Sequence, residues 1–172
     1  SANSGGGIYN ANGTNLFIAN TIIANSTNGA SIPIDDYAGG GSVILIGSAT
    51  AANNLITQLA PIPGIGDWAT TVTSALLNLG PLQNNGGPTF TMAVVDGSAA
   101  VSTGNASVSN ASPVNGLDQR GVQRSSTTPT IGAYEFVPVY PSVTQSTVVL
   151  APNSATININ GSGFSTTPNK NT

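Results

Sequence analysis

The first third of the chain repeats short apolar runs that each end near an asparagine. The runs are IYN, LFIAN, TIIANS and NNLI, and the asparagines are Asn10, Asn20, Asn25 and Asn54. Each run has the length of a strand, and asparagine, like glycine, tolerates the left-handed backbone of a tight turn. The rungs of a parallel β-helix need this pattern, with apolar side chains inward and asparagine side chains hydrogen-bonded to turn backbone. An ordinary β-meander with asparagine turns would give a similar pattern, so both architectures stay open.

The amino-acid composition, which is poor in helix-forming residues, also favours a β-rich fold. Charged residues make up only 5% of the 172 residues, so the chain offers little helical surface. β-branched residues and turn formers, including 21 glycines and 11 prolines, take their place. Apolar runs such as VILI (residues 43–46) and TVVLA (residues 147–151) argue against disorder. The sequence therefore predicts an all-β protein.

Several function classes are excluded by residues that the chain lacks. It has no cysteine and no histidine, which rules out disulfides, Cys or His metal sites and a histidine-dependent nucleophile within this chain. Its only cations are Arg120, Arg124 and Lys170, so we expect no nucleic-acid partner. No apolar run approaches the roughly 20 residues that span a bilayer, and no signal peptide is visible. Because Ser1 is not a start methionine, we expect the chain to be a piece of something longer.

Two isolated features are candidate binding residues. Asp35 and Asp36 are the only adjacent acidic pair and are weak candidates for Ca²⁺ ligands. A solvated turn is the preferred interpretation, since only two carboxylates are present locally. Trp68 lies in a Gly/Pro-rich loop and is a candidate stacking surface for a ligand, as are Tyr9 and Tyr37. A lone tryptophan in such a loop is more often a plug over the open end of a core, and we favour that role. We expect no metal site and no cofactor.

The stretch from Asn78 to Phe136 gathers two of the three basic and three of the six acidic residues. Asn84–Pro88 reads as a tight turn that offers positions with positive φ, and Thr89–Val94 alternates polar and apolar residues as a half-buried strand does. Asp118, Arg120 and Glu135 form the predicted ionic cluster. Arg120 is expected to tie its loop to Glu135 or Asp118 by a bidentate pair. A structural role is favoured over a ligand or cation site.

The ordered motifs of residues 5–136 resemble a known family. They read GGGIYN, NTIIANS, NNLI, LGPLQNNGGPTFTMAV, GSAAVSTGN, DQRG and IGAYEF. They are similar to the C-terminal segment of bacterial β-helix surface proteins that end in a choice-of-anchor Q domain. LGPLQNNGGPT, DQRG and IGAYE are the most specific parts. The chain departs at Ser102, where the family usually has the aspartate of a Ser-Pro-Ala-Ile-Asp-Ala-Gly run. The resemblance implies a right-handed parallel β-helix closed by an irregular β capping segment, secretion, attachment to the cell surface and no catalysis.

The last 36 residues change character. Residues 137–142 form a proline-rich linker. The following stretch, with Gly161-Ser162-Gly163-Phe164, resembles the opening of an immunoglobulin-like domain of the IPT/TIG type. Such a sandwich needs about seven strands, so the tail either continues into more chain or adds a strand to another molecule. We thus expect terminal β-helix rungs and loops in residues 1–77, the capping segment in 78–136, the linker, and an incomplete immunoglobulin-like domain or strand-donating tail in 143–172.

These observations predict a non-enzymatic, extracellular structural or adhesive protein of the bacterial cell surface. We expect it to be a subunit or fragment of a self-assembling fibre, formed by β-helix stacking or by strand addition. Its expected partners are copies of itself, other surface proteins or polysaccharide. The alternative is a carbohydrate-binding or polysaccharide-degrading β-helix protein. Degradation would need a pair of carboxylates at a defined separation, and the pairs available are Asp35/Asp36 and Asp118/Glu135.

Overall fold

The structure is a computed structural model that describes residues 6–27, 32–57, 64–144 and 160–164. These residues form mostly short strands with few helices, which confirms the all-β prediction at that level. The chain divides into two compact units, Ser1–Phe136 and Val137–Thr172. Within the described ranges, no helix has the length and apolarity to cross a membrane.

The first six strands run as two successive passes of three strands each. The first pass contains β1 (Ile8–Asn10), β2 (Asn15–Ile18) and β3 (Thr21–Ile23), and the second contains β4 (Tyr37–Gly39), β5 (Ser42–Leu45) and β6 (Asn54–Ile56). Each strand of the second pass pairs in parallel with its counterpart in the first, β4 with β1, β5 with β2 and β6 with β3. A seventh strand, β7 (Thr70–Thr71), continues the last of these sheets by pairing in parallel with β6.

Glycines allow the turn after β4 to lie directly on the turn after β1; we call these turns the corners of the two passes. Gly39 has φ +115°, and a Cβ built on it would lie 1.9 Å from the carbonyl oxygen of Asn10. A Cβ on Gly41 would lie 2.4 Å from the carbonyl oxygen of Ala11. Any side chain at these positions would push the two backbones apart, so the glycines keep the passes at hydrogen-bonding distance.

The inward side chains of the passes form a first hydrophobic core. Its buried members are Ile18, Ile23, Tyr37, Ile56, Trp68 and Ala69. In β2 the side chains alternate as the pleat requires, with Ile18 buried and Phe17 exposed. The short 3₁₀ turn Ile65–Asp67 leads directly into Trp68.

The sheet β3–β6–β7 is covered on both faces. All three residues of β6 are buried, with Ile56 in the first core and Leu55 in a second. The other buried members of the second core are Leu77, Val94, Ala100 and Ile131. Leu77 ends the short helix α1 (Ser74–Leu77). The other three come from the chain that follows, which contains β8 (Leu79–Gln83), β9 (Thr91–Val94) and the short helix α2 (Ala106–Asn110). This part of the chain therefore packs on the outward side of the stacked strands.

The hairpin β8–β9 departs from simple alternation. The predicted strand over Thr89–Val94 begins at Thr91, and Thr91 and Val94 are both buried. Phe90 and Met92 are instead 63% and 38% exposed. The register between β8 and β9 also shifts between Leu79 and Leu82, so the hairpin contains a bulge on its β8 side.

The second unit contains β10 (Ser142–Val143) and β11 (Gly161–Ser162), which pair in antiparallel fashion. Residues 137–141 contain no strand or helix. The predicted β-run at residues 147–151 lies outside the described residues. Of the proposed immunoglobulin-like opening, only Asn160–Phe164 and the strand that pairs with it are described.

Candidate functional site

The three most specific sequence motifs of residues 78–136 come together in space. Gly87, in the turn of the β8–β9 hairpin, has φ +80°, and a Cβ on it would lie 2.6 Å from the Cα of Arg120. The Gln119 side chain donates to the hydroxyl of Thr89, and the Gln119 backbone N–H donates to the carbonyl of Ala133 at 3.1 Å. The NNGGPT turn, the DQRG loop and the IGAYE segment therefore form one site.

Asparagine side chains shape the hairpin turn at this site. The Oδ1 of Asn84 accepts the N–H of Gly86 at 3.0 Å. The side-chain amide of Asn85 donates to the carbonyl of Thr91 at 2.7 Å, across the turn. Gly86 and Gly87 have φ of +93° and +80°, as the sequence predicts for a turn rich in glycine.

Asp118 is the centre of the ionic cluster. Its Oδ2 accepts Nε of Arg120 at 2.9 Å, a terminal nitrogen of the same guanidinium at 2.7 Å, and the backbone N–H of Glu135 at 2.9 Å. Its Oδ1 accepts the backbone N–H groups of Arg120 and Val122 at 2.8 and 3.0 Å. The predicted cluster is thus assembled, with the Arg120 side chain bound to Asp118. The guanidinium reaches Glu135 only at its main-chain carbonyl, 2.9 Å away.

Hydrogen bonds keep Asp118 charged. Its side chain is fully buried, and burial alone would raise the pKa of the carboxyl. The N–H of Glu135, the Arg120 side chain and the N–H groups of Val122 and Arg120 outweigh burial, so the pKa lies below its ordinary value.

Arg124 is the member of the cluster that sequence reasoning missed. Its guanidinium donates to the carbonyls of Leu117, Thr130 and Gly132 at 3.1, 2.9 and 2.6 Å. It also pairs with the carboxylate of Glu135 at 3.4 Å. Burial lowers the pKa of Arg124, while the charges of Glu135 and Asp118 oppose that effect. Its rarity in the sequence is the feature that indicates a role for it, since Arg124 is one of only three cations in the chain.

Glu135 completes the cluster and is equally engaged. Its carboxylate accepts the backbone N–H groups of Ser125 and Thr130 at 3.0 and 2.8 Å, besides the pair with Arg124. The Arg120 guanidinium lies 3.5 Å from the centre of the Tyr134 ring, a cation–π contact that covers it. Among the described residues, no buried side-chain nitrogen or oxygen lacks a hydrogen-bond partner. Carboxylates so fully bonded are poorly placed to act as bases or to bind an ion, and the arrangement suits a structural clamp.

Asp36 is buried, so the solvated turn preferred from the sequence is wrong for this residue. It is fully inaccessible to solvent. Its carboxylate accepts the N–H of Ser26 at 2.8 Å, the N–H of Thr57 at 3.1 Å and the Thr57 hydroxyl. Three donors from two other turns replace the water that the turn was expected to supply. Asp35 is half-buried, and its carbonyl accepts the N–H of Gly6 at 2.7 Å. In the described part of the chain, no three His, Cys, Asp or Glu residues are grouped as a metal site would need.

Trp68 is a core residue. It is 7% exposed, and its ring centre lies 4.9 Å from that of Tyr37 at an angle of 56°. Tyr37 is itself buried, whereas Tyr9 is 67% exposed. Of the three aromatic residues considered as stacking surfaces, only Tyr9 presents a ring to solvent.

An apolar groove lies beside the charge cluster. It has a volume of about 260 Å³ and is lined mainly by Ile22, Leu79, Leu82, Phe90 and Met92, with Gln119 and Ala133 at its side. The groove contains no charged residue, so it offers shape and apolar contact rather than catalytic groups.

Comparison with known proteins identifies no relative of this chain. No protein-family model, no curated protein sequence and no solved structure matches this chain. The resemblance to the choice-of-anchor Q segment therefore rests on the motifs themselves.

Proposed function

We propose that this chain is a non-enzymatic structural or adhesive protein of the bacterial cell surface, built on the last rungs of a right-handed parallel β-helix. The observation that carries the proposal is the parallel pairing of every strand of one pass with its counterpart in the next. A repeat of such passes produces a stiff rod with a continuous core, because each pass buries its apolar side chains only against its neighbours.

Buried asparagine side chains support the proposal by joining the passes. The amide of Asn10 donates to the carbonyl of Ser42, 32 residues further on, at 3.0 Å. Oδ1 of Asn54 accepts the N–H of Thr21, 33 residues earlier, at 3.1 Å, and the Asn54 amide donates to the carbonyl of Trp68 at 3.0 Å. These bonds run along the stacking direction, as expected of side chains at the corners of a β-helix.

The charge cluster supports a role without catalysis. The carboxylates of Asp118, Glu135 and Asp36 each accept several hydrogen bonds from the protein's own backbone. The carbohydrate alternative has less support, because Trp68 is buried and one or both carboxylates of each candidate acid pair accept backbone hydrogen bonds.

Open strand edges support self-association. Within the described residues, β1, β2 and β3 have a strand neighbour on one side only, as do β4 and β5. Unpaired backbone groups on such edges are templates for another strand. Stacking of one copy's edge on the opposite end of the next is a heterologous contact, which generates an open filament. In the second unit, Val139 and Tyr140 are each 78% exposed, which is compatible with a tail that adds to a neighbouring molecule.

The test is the assembly state of the whole chain as concentration rises, followed by sedimentation and negative-stain microscopy. We expect filaments whose diffraction shows the strand spacing of about 4.7–4.9 Å along the axis. Tyr9→Lys places a charge on the exposed side of an edge strand and should reduce assembly while leaving the melting temperature of the single chain nearly unchanged; Tyr9→Phe is the matched control. A chain that stays monomeric at every concentration contradicts self-assembly. Cleavage of pectin, alginate or a related polymer by the purified chain contradicts the non-enzymatic role.

A further inference from the structure

We infer that Asn12 is a site of spontaneous deamidation, and that the fold protects two other Asn-Gly pairs from the same reaction. Asn12 and Gly13 form the exposed turn between β1 and β2. The turn is closed by a hydrogen bond from the N–H of Thr14 to the carbonyl of Ala11 at 3.2 Å, and Gly13 has φ +78°. In a turn of this kind the closing bond does not use the N–H of the third residue, here Gly13.

The reaction needs only the chain and water. The backbone nitrogen of Gly13 loses its proton and attacks Cγ of Asn12, forming a new C–N bond. The bond from Cγ to Nδ2 then breaks, and ammonia leaves with the transferred proton. Water opens the resulting succinimide at one of its two carbonyls and gives either aspartate or isoaspartate. One water is consumed and one ammonia is released.

Nothing in the described structure restrains the reacting groups of this pair by hydrogen bonding. Neither the Gly13 N–H nor the Asn12 side chain has a hydrogen-bond partner among the described residues. A Cβ on Gly13 would meet no atom within 4 Å, so the space around the attacking nitrogen is open.

The pair Asn85-Gly86 has the same sequence in a different environment. The N–H of Gly86 is bound to Oδ1 of Asn84. The Asn85 amide donates to the Thr91 carbonyl, and its Oδ1 accepts the side chain of Gln83 at 3.1 Å. Hydrogen bonds therefore restrain both the attacking nitrogen of Gly86 and the side-chain amide of Asn85 that it would attack.

The pair Asn115-Gly116 is protected in a similar way. The N–H of the buried Gly116 donates to the carbonyl of Ser109 at 2.9 Å, and the Asn115 amide donates to the carbonyl of Pro113 at 3.2 Å. Asn160-Gly161 lies in the second unit with Gly161 in strand β11, and Asn28 lies outside the described residues. The two protected pairs of the first unit are therefore the internal controls.

The position of Asn12 gives the reaction a structural consequence. Its Oδ1 would lie 2.1 Å from a Cβ on Gly40, so the side chain rests on the turn of the second pass. Deamidation adds a negative charge there in a chain whose net charge is -3, and isoaspartate also lengthens the backbone of the turn. The product form should therefore stack its first two passes less stably than the original.

The experiment incubates the whole chain at mildly alkaline pH, folded and in urea, and follows each Asn-Gly pair by mass spectrometry of peptic peptides. In the folded chain we expect Asn12 to react at least about tenfold faster than Asn85 and Asn115, because releasing one hydrogen bond costs roughly that factor. In urea the three rates should come close together, and Gly13→Ala should slow Asn12 alone. Equal rates in the folded chain, or an Asn12 rate unchanged by Gly13→Ala, would overturn the inference.

Discussion

The stacked region (residues 8–71) and the clamped segment (residues 78–136) differ in how their backbone N–H and C=O groups are hydrogen-bonded. In its described residues the stacked region contains seven short strands, and its sequence has three aspartates and no cation. All of these strands pair in parallel ladders. The clamped segment has two strands and two arginine–carboxylate pairs. Its path is irregular, and many of its backbone groups pair with one another in turns and loops rather than in ladders.

Charged side chains pair with further backbone groups in the clamped segment. Asp118 accepts three backbone N–H groups and Glu135 accepts two, while Arg124 donates to three backbone carbonyls. Burying a charge is costly unless it is paired and hydrogen-bonded, and here each charge is both. Two of the three cations lie in this segment, and in the stacked region the buried Asp36 likewise accepts backbone N–H groups.

The most disruptive test of this comparison removes Arg124. Arg124→Ala leaves the Glu135 carboxylate buried without its cation and three carbonyls without their donor. We expect the free energy of unfolding to fall by about 3–5 kcal/mol, the range for breaking a buried ion pair. Urea unfolding measures the loss, and trypsin cleavage after Arg120 reports whether the clamped segment opens.

Arg120→Ala is the matched comparison. It removes the bonds to Asp118 and Glu135 and the contact with Tyr134, but Asp118 keeps three backbone donors. We expect a smaller loss of about 2–3 kcal/mol, as for a charged hydrogen-bond partner, and no effect on any binding activity beyond that of unfolding. An unchanged melting temperature in this variant would contradict the structural role of the cluster.

The corresponding test of the stacked region is Gly39→Ala. The added Cβ would meet the carbonyl oxygen of Asn10, and φ +115° is unfavourable for alanine. We expect a loss of about 3 kcal/mol from strain and overpacking together. Gly13→Ala, at φ +78° with open space around the Cβ, should cost only about 1–2 kcal/mol for the left-handed backbone. Equal losses in the two variants would mean that close stacking of the corners does not matter.

The sequence predicts the stacked region better than the clamped segment for a physical reason. Short apolar runs and asparagine turns are local signals, and they indicate strands that the structure contains at Ile8–Asn10, Thr21–Ile23 and Asn54–Ile56. The pairing of Arg124 with Glu135 and the burial of Asp36 depend on contacts between distant turns. No local pattern encodes such contacts, so the sequence wrongly predicts a solvated turn at Asp36 and assigns Arg124 no place in the cluster.

A smaller effect is expected from Asn54→Ala. The buried Asn54 side chain is lost, which leaves the half-buried N–H of Thr21 and the buried carbonyl of Trp68 without their side-chain partner. We expect a loss of about 2 kcal/mol, the cost of stranding buried polar groups. Asn15→Ala, on the exposed side of β2, should stay within about 0.5 kcal/mol. Thermal unfolding of both variants decides whether buried amides, rather than asparagine as such, hold the passes together.

The smallest and most specific effect is the acid dependence of the clamped segment. The pKa of Asp118 is lower in the folded chain than its ordinary value, so near pH 4 the unfolded chain binds more protons than the folded one. Stability from this group is fully present above the unfolded pKa of about 3.9 and is lost as the pH falls through the folded pKa. The free energy of unfolding should therefore rise with pH in this window, and Asp118→Asn should flatten that rise.

Hydrogen exchange should show the N–H groups of Val122 and Glu135, both bound to Asp118, losing protection in acid before the fluorescence of the buried Trp68 changes. If both signals change at the same pH, or if Asp118→Asn keeps the wild-type slope, the clamp does not titrate separately from the stacked strands.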